Sequence, residues 1–209
     1  MTEKLNKIHY LYIMNFLAHI YLSGNDNEIK IGNFIADALK GSTYKAYSEK
    51  IALGVTIHRV IDSFADTHKI YSLGKIPLQS KYGHYSGIVL DVFFDHFLAL
   101  HWEKFSKQNF KAFCRNFYLT LTLNTATLPP RYRYMFPFMI VGDWLDSYRK
   151  IDKIESVLAR MSRRTSLPAE SQFAKETLIT NYNLSENYFF DFMPRIMKMV
   201  ENKFDIKIY

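Results

Sequence analysis

The stretch "DVFFDHFLALHW", residues 91–102, decides the fold class. It holds no Gly or Pro and no period-2 alternation, so it reads as a buried helix. Yet this run of Phe, Leu, Val, Ala and Trp carries Asp91 and Asp95 one turn apart, with His96 beside them. Carboxylates four residues apart on a helix repel, and in apolar surroundings each is costly unless a partner offsets its desolvation. At about 100° per residue, His84, Asp91, Asp95 and Trp102 fall within about 40° of one another, so one face carries a His and two carboxylates.

Working outward, apolar spacing near 3.6 recurs along most of the chain and predicts eight or nine helices. They fall at about 14–22, 25–40, 44–72 with a break near Tyr47-Ser48, 84–105, 109–124, a segment containing "MFPFMIVGDWLDSY", then 152–162, 168–180 and 184–204. "LGKIPLQSKYG" reads as a loop, and Pro137 should kink or start its helix. No alternating run reads as a strand. The fold class is therefore all-α, a single-domain multi-helix bundle. Phe189, Phe192, Met193, Ile196, Met199 and Val200 give the last helix an apolar face that should pack back on the main body. Residues 1–13 read as an N-terminal extension and 14–209 as the domain, because Met14 opens the segment with the first motif.

Composition narrows the class. With 209 residues, 48% apolar, 16% aromatic, eight Gly and six Pro, the chain can bury a sizeable core and is neither disordered nor a turn-rich β-sandwich. Its one cysteine, Cys114, excludes an internal disulfide framework and any thiolate zinc site, and fits a reducing, cytoplasmic location. The apolar stretch near the N-terminus is interrupted by Asn15 and His19 and lacks a small-residue cleavage site, so neither a signal peptide nor a membrane span is expected. A formal charge of +7 suits an acidic partner. No nucleic-acid motif, repeat or low-complexity segment accompanies it.

Polar pairs four residues apart recur on the other early helices: Asn15 with His19, Asn33 with Asp37, and His58 with Asp62. Each alone is a weak signal, compatible with satisfied core side chains. Their recurrence suggests a bundle that points them at one centre, a familiar way to build a metal site. Oxygen and imidazole donors without thiolates suit manganese, magnesium, iron or zinc.

At these residues the chain resembles a known family. "MNFLAHIYLS", "IGNFIADALKG", "GVTIHRVIDSFAD", "IVLDVFFDHFLALHW" and "MSRRTSL", in this order, are similar to the acyl carrier protein phosphodiesterases over Met14 to about Leu167. That family is regarded as a divergent, HD-domain-like branch of the metal-dependent phosphohydrolases, in which a His-Asp pair on one helix joins a further His and Asp on the metal. Here the matching position reads Ala36-Asp37, so one imidazole is absent and the ligand set stays open. The resemblance implies Asp37 as an essential metal-binding and catalytic residue. His58, Asp62, Asp91 and Asp95 would be further ligands, with His58 or His96 as proton donor.

The implied activity is hydrolysis of the phosphodiester between 4′-phosphopantetheine and a serine of acyl carrier protein, giving the apo carrier and free 4′-phosphopantetheine. A divalent metal, manganese first with magnesium or iron as alternatives, would neutralise the phosphate and lower the pKa of water. A serine alkoxide is a poor leaving group, so a proton donor is needed. Arg59 would pair with phosphate oxygens, and Arg149, Lys150, Arg163 and Arg164 would meet the acidic carrier. Tyr82, Tyr85, Tyr132 and Tyr134 flank loops and would line a channel for the pantetheine arm. Two rival readings are an HD-type nucleotide phosphohydrolase acting on a guanosine polyphosphate or cyclic dinucleotide, and a non-catalytic binding protein for an acidic partner.

Overall fold

A computed structural model of the chain describes residues 16–163 and 165–208. The expectations for Met14, Asn15, the 1–13 extension and Arg164 lie outside the described residues. Among those described, every regular element is helical and no strand occurs, as the apolar spacing required.

Thirteen α-helices follow in order among the described residues: α1 (Leu17–Tyr21), α2 (Asn27–Ile35), α3 (Glu49–Thr67), α4 (Lys69–Lys75), α5 (Gln79–Tyr82), α6 (Ser86–Leu100), α7 (Trp102–Phe105), α8 (Phe110–Leu123), α9 (Pro130–Val141), α10 (Trp144–Ser147), α11 (Ile151–Ser162), α12 (Ser171–Thr180) and α13 (Tyr182–Phe204). The larger number comes from breaks inside expected helices. Ser48 caps the backbone N–H of Ile51 and starts α3, leaving Thr43–Ala46 as a separate 3-10 turn. His68 accepts the N–H of Ile70 through Nδ1 and so restarts the chain as α4. The expected loop at 73–83 is a chain of short helical turns, and the expected helix at 84–105 divides at His101. Pro130, not Pro137, begins α9, where its missing N–H costs nothing. Pro137 is carried inside that helix, which stops at Gly142 before Asp143 in a left-handed conformation, φ 40°.

Two contacts place the centre described below. Helices α2 and α3 cross backbone to backbone at Gly32 and Gly54. A Cβ on Gly32 would lie 2.0 Å from the Ile51 carbonyl oxygen, and one on Gly54 would lie 2.2 Å from that of Ile29. Only glycine permits that approach, and it brings the end of α2 against the middle of α3. Helix α1, five residues long, is too short to be stable alone. The backbone N–H groups of Leu17 and Ala18 donate to the Asp95 carboxylate of α6, at 3.1 and 2.8 Å. A residue in the middle of the bundle thus caps the first helix and fixes its direction.

The aromatic core closes around α6. Phe94 and Phe97 meet Phe189, and Phe94 also meets Phe192 and Tyr71. Phe189, Phe192, Met193, Ile196 and Val200 of α13 are buried, so the last helix packs back on the body as its apolar face required. No helix among the described residues is long and apolar enough to cross a membrane.

Candidate metal centre

His19 of α1 and His58 and Asp62 of α3 each offer a donor atom, and these atoms lie within 4.8 Å of one another. Both imidazoles are buried, with ring centroids 4.2 Å apart, while the Asp62 side chain is 43% exposed and opens the group to one side. Asp62 Oδ1 lies 3.4 Å from His19 Nε2 and its Oδ2 lies 3.3 Å from His58 Nε2. Asp37, in the 3-10 turn Ala36–Ala38 that follows α2, adds Oδ1 at 3.2 Å from His58 Nε2.

Asn33 orients the pair. Its Nδ2 donates to the His19 carbonyl at 2.9 Å and to Ser23 Oγ at 3.0 Å, which fixes its Oδ1 as the acceptor. That single oxygen receives Nδ1–H of His19 at 2.9 Å and Nδ1–H of His58 at 3.0 Å. Each ring therefore turns its Nε2 toward the carboxylates. A hydrogen bond at one ring nitrogen that frees the other is the usual support behind a metal-bound histidine.

Electrostatics agree. Burial disfavours charge on His58, but the adjacent carboxylates of Asp37 and Asp62 outweigh it and push the ring up to about 9. Burial of Asp62 acts upward, and the His58 and His19 rings more than offset it, holding the carboxyl below its usual range. Without a cation, a proton on His58 Nε2 occupies the space between two carboxylates. Imidazole and carboxylate donors with no thiol are the right set for a hard or borderline divalent cation in the same place.

The sequence singled out His19 and Asn33 as members of polar pairs but left both out of the ligand set. The signal was present, since each is a polar residue on an apolar helix. Their convergence was not, since the path of α1 brings His19 to Asn33 and the glycine crossing brings Asn33 to His58.

Asp91 and Asp95 face different surroundings. Asp91 borders the same cavity as His19 and Asp62. Its Oδ1 accepts the Tyr71 hydroxyl at 2.6 Å. Burial pushes this carboxyl up to about 8 despite the tyrosine hydrogen bond, and the nearby Asp62 charge adds to the rise. Asp95 is fully buried, and its two oxygens are used by the N–H groups of α1. Those bonds answer how a carboxylate survives there, and Asp95 is not among the donors that converge on the centre. Nor is His96. Its Nδ1–H donates to the Tyr148 carbonyl at 2.7 Å, and Nε2 accepts the Tyr182 hydroxyl at 3.3 Å. Burial lowers its pKa and so favours the neutral ring.

Arg59 is also put to another use. Its NH1 and NH2 donate to the carbonyls of Gly41 and Leu39, at 3.0 and 2.8 Å, and the guanidinium stacks 4.7 Å over Tyr44. It pins the segment after Asp37. Arg149 lies 5.6 Å over the Phe110 ring and Arg163 is exposed where α11 ends; neither borders the cavity that meets the centre. The channel expected of four tyrosines is absent from that cavity: Tyr82 and Tyr132 are core, Tyr134 is 78% exposed, and Tyr71 provides the aromatic hydroxyl instead.

Fold and centre together define an all-helical protein whose early helices gather imidazole and carboxylate donors at one point. The chain belongs to the acyl carrier protein phosphodiesterase family, whose model matches residues 14–196. It is 32% identical over 192 residues to an acyl carrier protein phosphodiesterase of Enterobacter sp. (strain 638), covering 91% of this chain and 99% of the relative. Proteins of the same name from Escherichia coli O45:K1 (31% over 195 residues) and Pectobacterium atrosepticum (28% over 191 residues) are covered equally. No solved structure matches the chain.

Proposed function

We propose that this protein is a cytoplasmic phosphodiesterase that hydrolyses holo acyl carrier protein to the apo carrier and 4′-phosphopantetheine. A divalent cation, manganese first, would be held by His19, His58 and Asp62, with Asp37 beside them. The observation that carries this reading is the convergence of both Nε2 atoms and the Asp62 carboxylate, with both rings set by one Asn33 oxygen. Membership of the family and the names of the relatives supply the substrate.

When bound, the cation supplies charge neutralisation at the phosphate and a lowered pKa for water. The chain's own groups do the rest. Asp37, its side chain 16% exposed, is placed beside the centre to accept the proton of an attacking water. Breaking the ester bond leaves a serine oxygen that must be protonated. With both imidazole Nε2 atoms directed to the cation, Asp91, whose carboxyl borders the cavity and is raised to about 8 by burial in the metal-free chain, would assume the donor role first expected of His58 or His96. Exposed Lys40 and Lys45 lie on the segment that Arg59 pins beside Asp37, and they join Arg149, Arg163 and Arg164 as cations that would meet the acidic carrier.

The test is the intact mass of holo acyl carrier protein after incubation with the enzyme and manganese, with and without chelator. Loss of one phosphopantetheine, abolished by chelator, is the expected result. A carrier left intact by protein with cation bound overturns the reading.

A further inference from the structure

The centre opens into a cavity of about 210 Å³. His19 and Asp62 belong to its wall as well as to the centre, so the two are continuous. The wall combines two kinds of group: the donors with Asp91 and Tyr71, whose hydroxyl bonds Asp91, and an apolar lining that includes Ala65, Ile88, Phe94, Phe192 and Ile196 from α3, α6 and α13. Exposed Asp66 and His84 also border it, so the cavity reaches the surface.

A phosphodiester at the centre carries two arms. One is a serine on a folded protein, which no cavity of this size admits. The other, on the proposed substrate, is a slender chain bearing a geminal dimethyl group, a hydroxyl, two amides and a thiol. Its hydroxyl and amides can meet the polar groups of the wall, and its dimethyl and methylene carbons the apolar ones. A site lined mainly by apolar side chains with a few placed polar groups is the usual form of a small-molecule pocket.

We propose that this cavity binds the pantetheine arm, and that Ala65 and Ile196 set the specificity of the enzyme for phosphate esters bearing that arm. The inference rests on the reading above. It makes the arm, rather than the carrier surface alone, a determinant of recognition, and it assigns α13 a part in the site although that helix contributes no donor to the centre.

Two narrowing variants test it: Ala65→Leu, on α3, and Ile196→Phe, on α13, each checked by circular dichroism and by cation binding. Free 4′-phosphopantetheine and inorganic phosphate are titrated into the manganese-loaded protein, and release of the arm from holo carrier is followed by mass. For the wild type, phosphopantetheine should bind at least about tenfold more tightly than phosphate, a difference typical of burying a few apolar groups. In either folded variant that preference should shrink to near one, phosphate affinity should stay as in the wild type, and kcat/KM on holo carrier should fall by about tenfold or more. Unaltered preference in both folded, cation-loaded variants overturns the inference while leaving the proposed activity intact. A wild type that binds cation but leaves holo carrier whole overturns the proposed activity and the inference with it.

Discussion

Asn33 is the residue on which the geometry of the centre turns. One amide oxygen sets the tautomer of two imidazoles, and the two amide hydrogens that fix it are used on the His19 carbonyl of α1 and on Ser23 just beyond that helix. In Asn33→Ala both rings lose that restraint, and manganese affinity should fall by about 10–100-fold in calorimetric titration, the scale seen when the group behind a metal-bound histidine is removed. Unchanged affinity would mean that the rings are held by Asp37 and Asp62 alone. Asp91 gives a pH signature. Its native pKa of about 8 lies above that of an unfolded aspartate. The unfolded chain therefore ionises first, and the metal-free protein loses stability as pH rises from about 4 to about 8, by at most ~1.4 kcal/mol per unit from this group. His58, raised to about 9, has the same sign, its contribution being full below its unfolded pKa of about 6.5 and lost as pH rises through 9. In chelator, the melting temperature of Asp91→Asn should drop less between pH 5 and pH 8 than that of the wild type. Equal drops would show that Asp91 is ionised in the native chain.

At the scale of elements, the glycine crossing is the joint that assembles the centre. Gly54→Ala forces a methyl group into the backbone of α2, where the nearest atom is a carbonyl oxygen rather than a movable side chain. It should cost about 1–3 kcal/mol or more in chemical denaturation and weaken manganese binding in whatever fraction folds, because Asn33 and Asp37 ride on the displaced helix. Retained stability and affinity would show that α2 and α3 can separate without disturbing the donors. Helices and their polar faces were legible in the sequence, since period and turn residues are local. The crossing was not, because Gly32 and Gly54 read locally as mere weak points in helices. Asp95 shows the same limit. Its partners are the N–H groups of Leu17 and Ala18, 78 and 77 residues away, and a carboxylate used as a distant helix cap has the same sequence signature as a metal ligand.

For the whole molecule, a charge of +7 and an acidic substrate imply that encounter is steered electrostatically. Raising salt from about 0.05 to 0.5 M shortens the screening length from about 14 to 4 Å and should raise KM for holo carrier while leaving kcat little changed, as read from initial rates. A KM indifferent to salt would move recognition from charge to the cavity. The sequence supplied the helical class and the family resemblance. It also marked His58, Asp62, Asp37 and Asp91, because each announces itself as a polar residue on an apolar face, but it could not show the partners of Asp95, His96 and Arg59, which include backbone groups that no residue pattern displays. The position of the cation decides every role given to these side chains, so the deciding measurement is anomalous diffraction from crystals of the manganese-loaded protein. A single strong peak about 2.0–2.4 Å from Nε2 of His19, Nε2 of His58 and the Asp62 carboxylate is the expected result. A peak elsewhere, or none at this centre with manganese bound in solution, would contradict it.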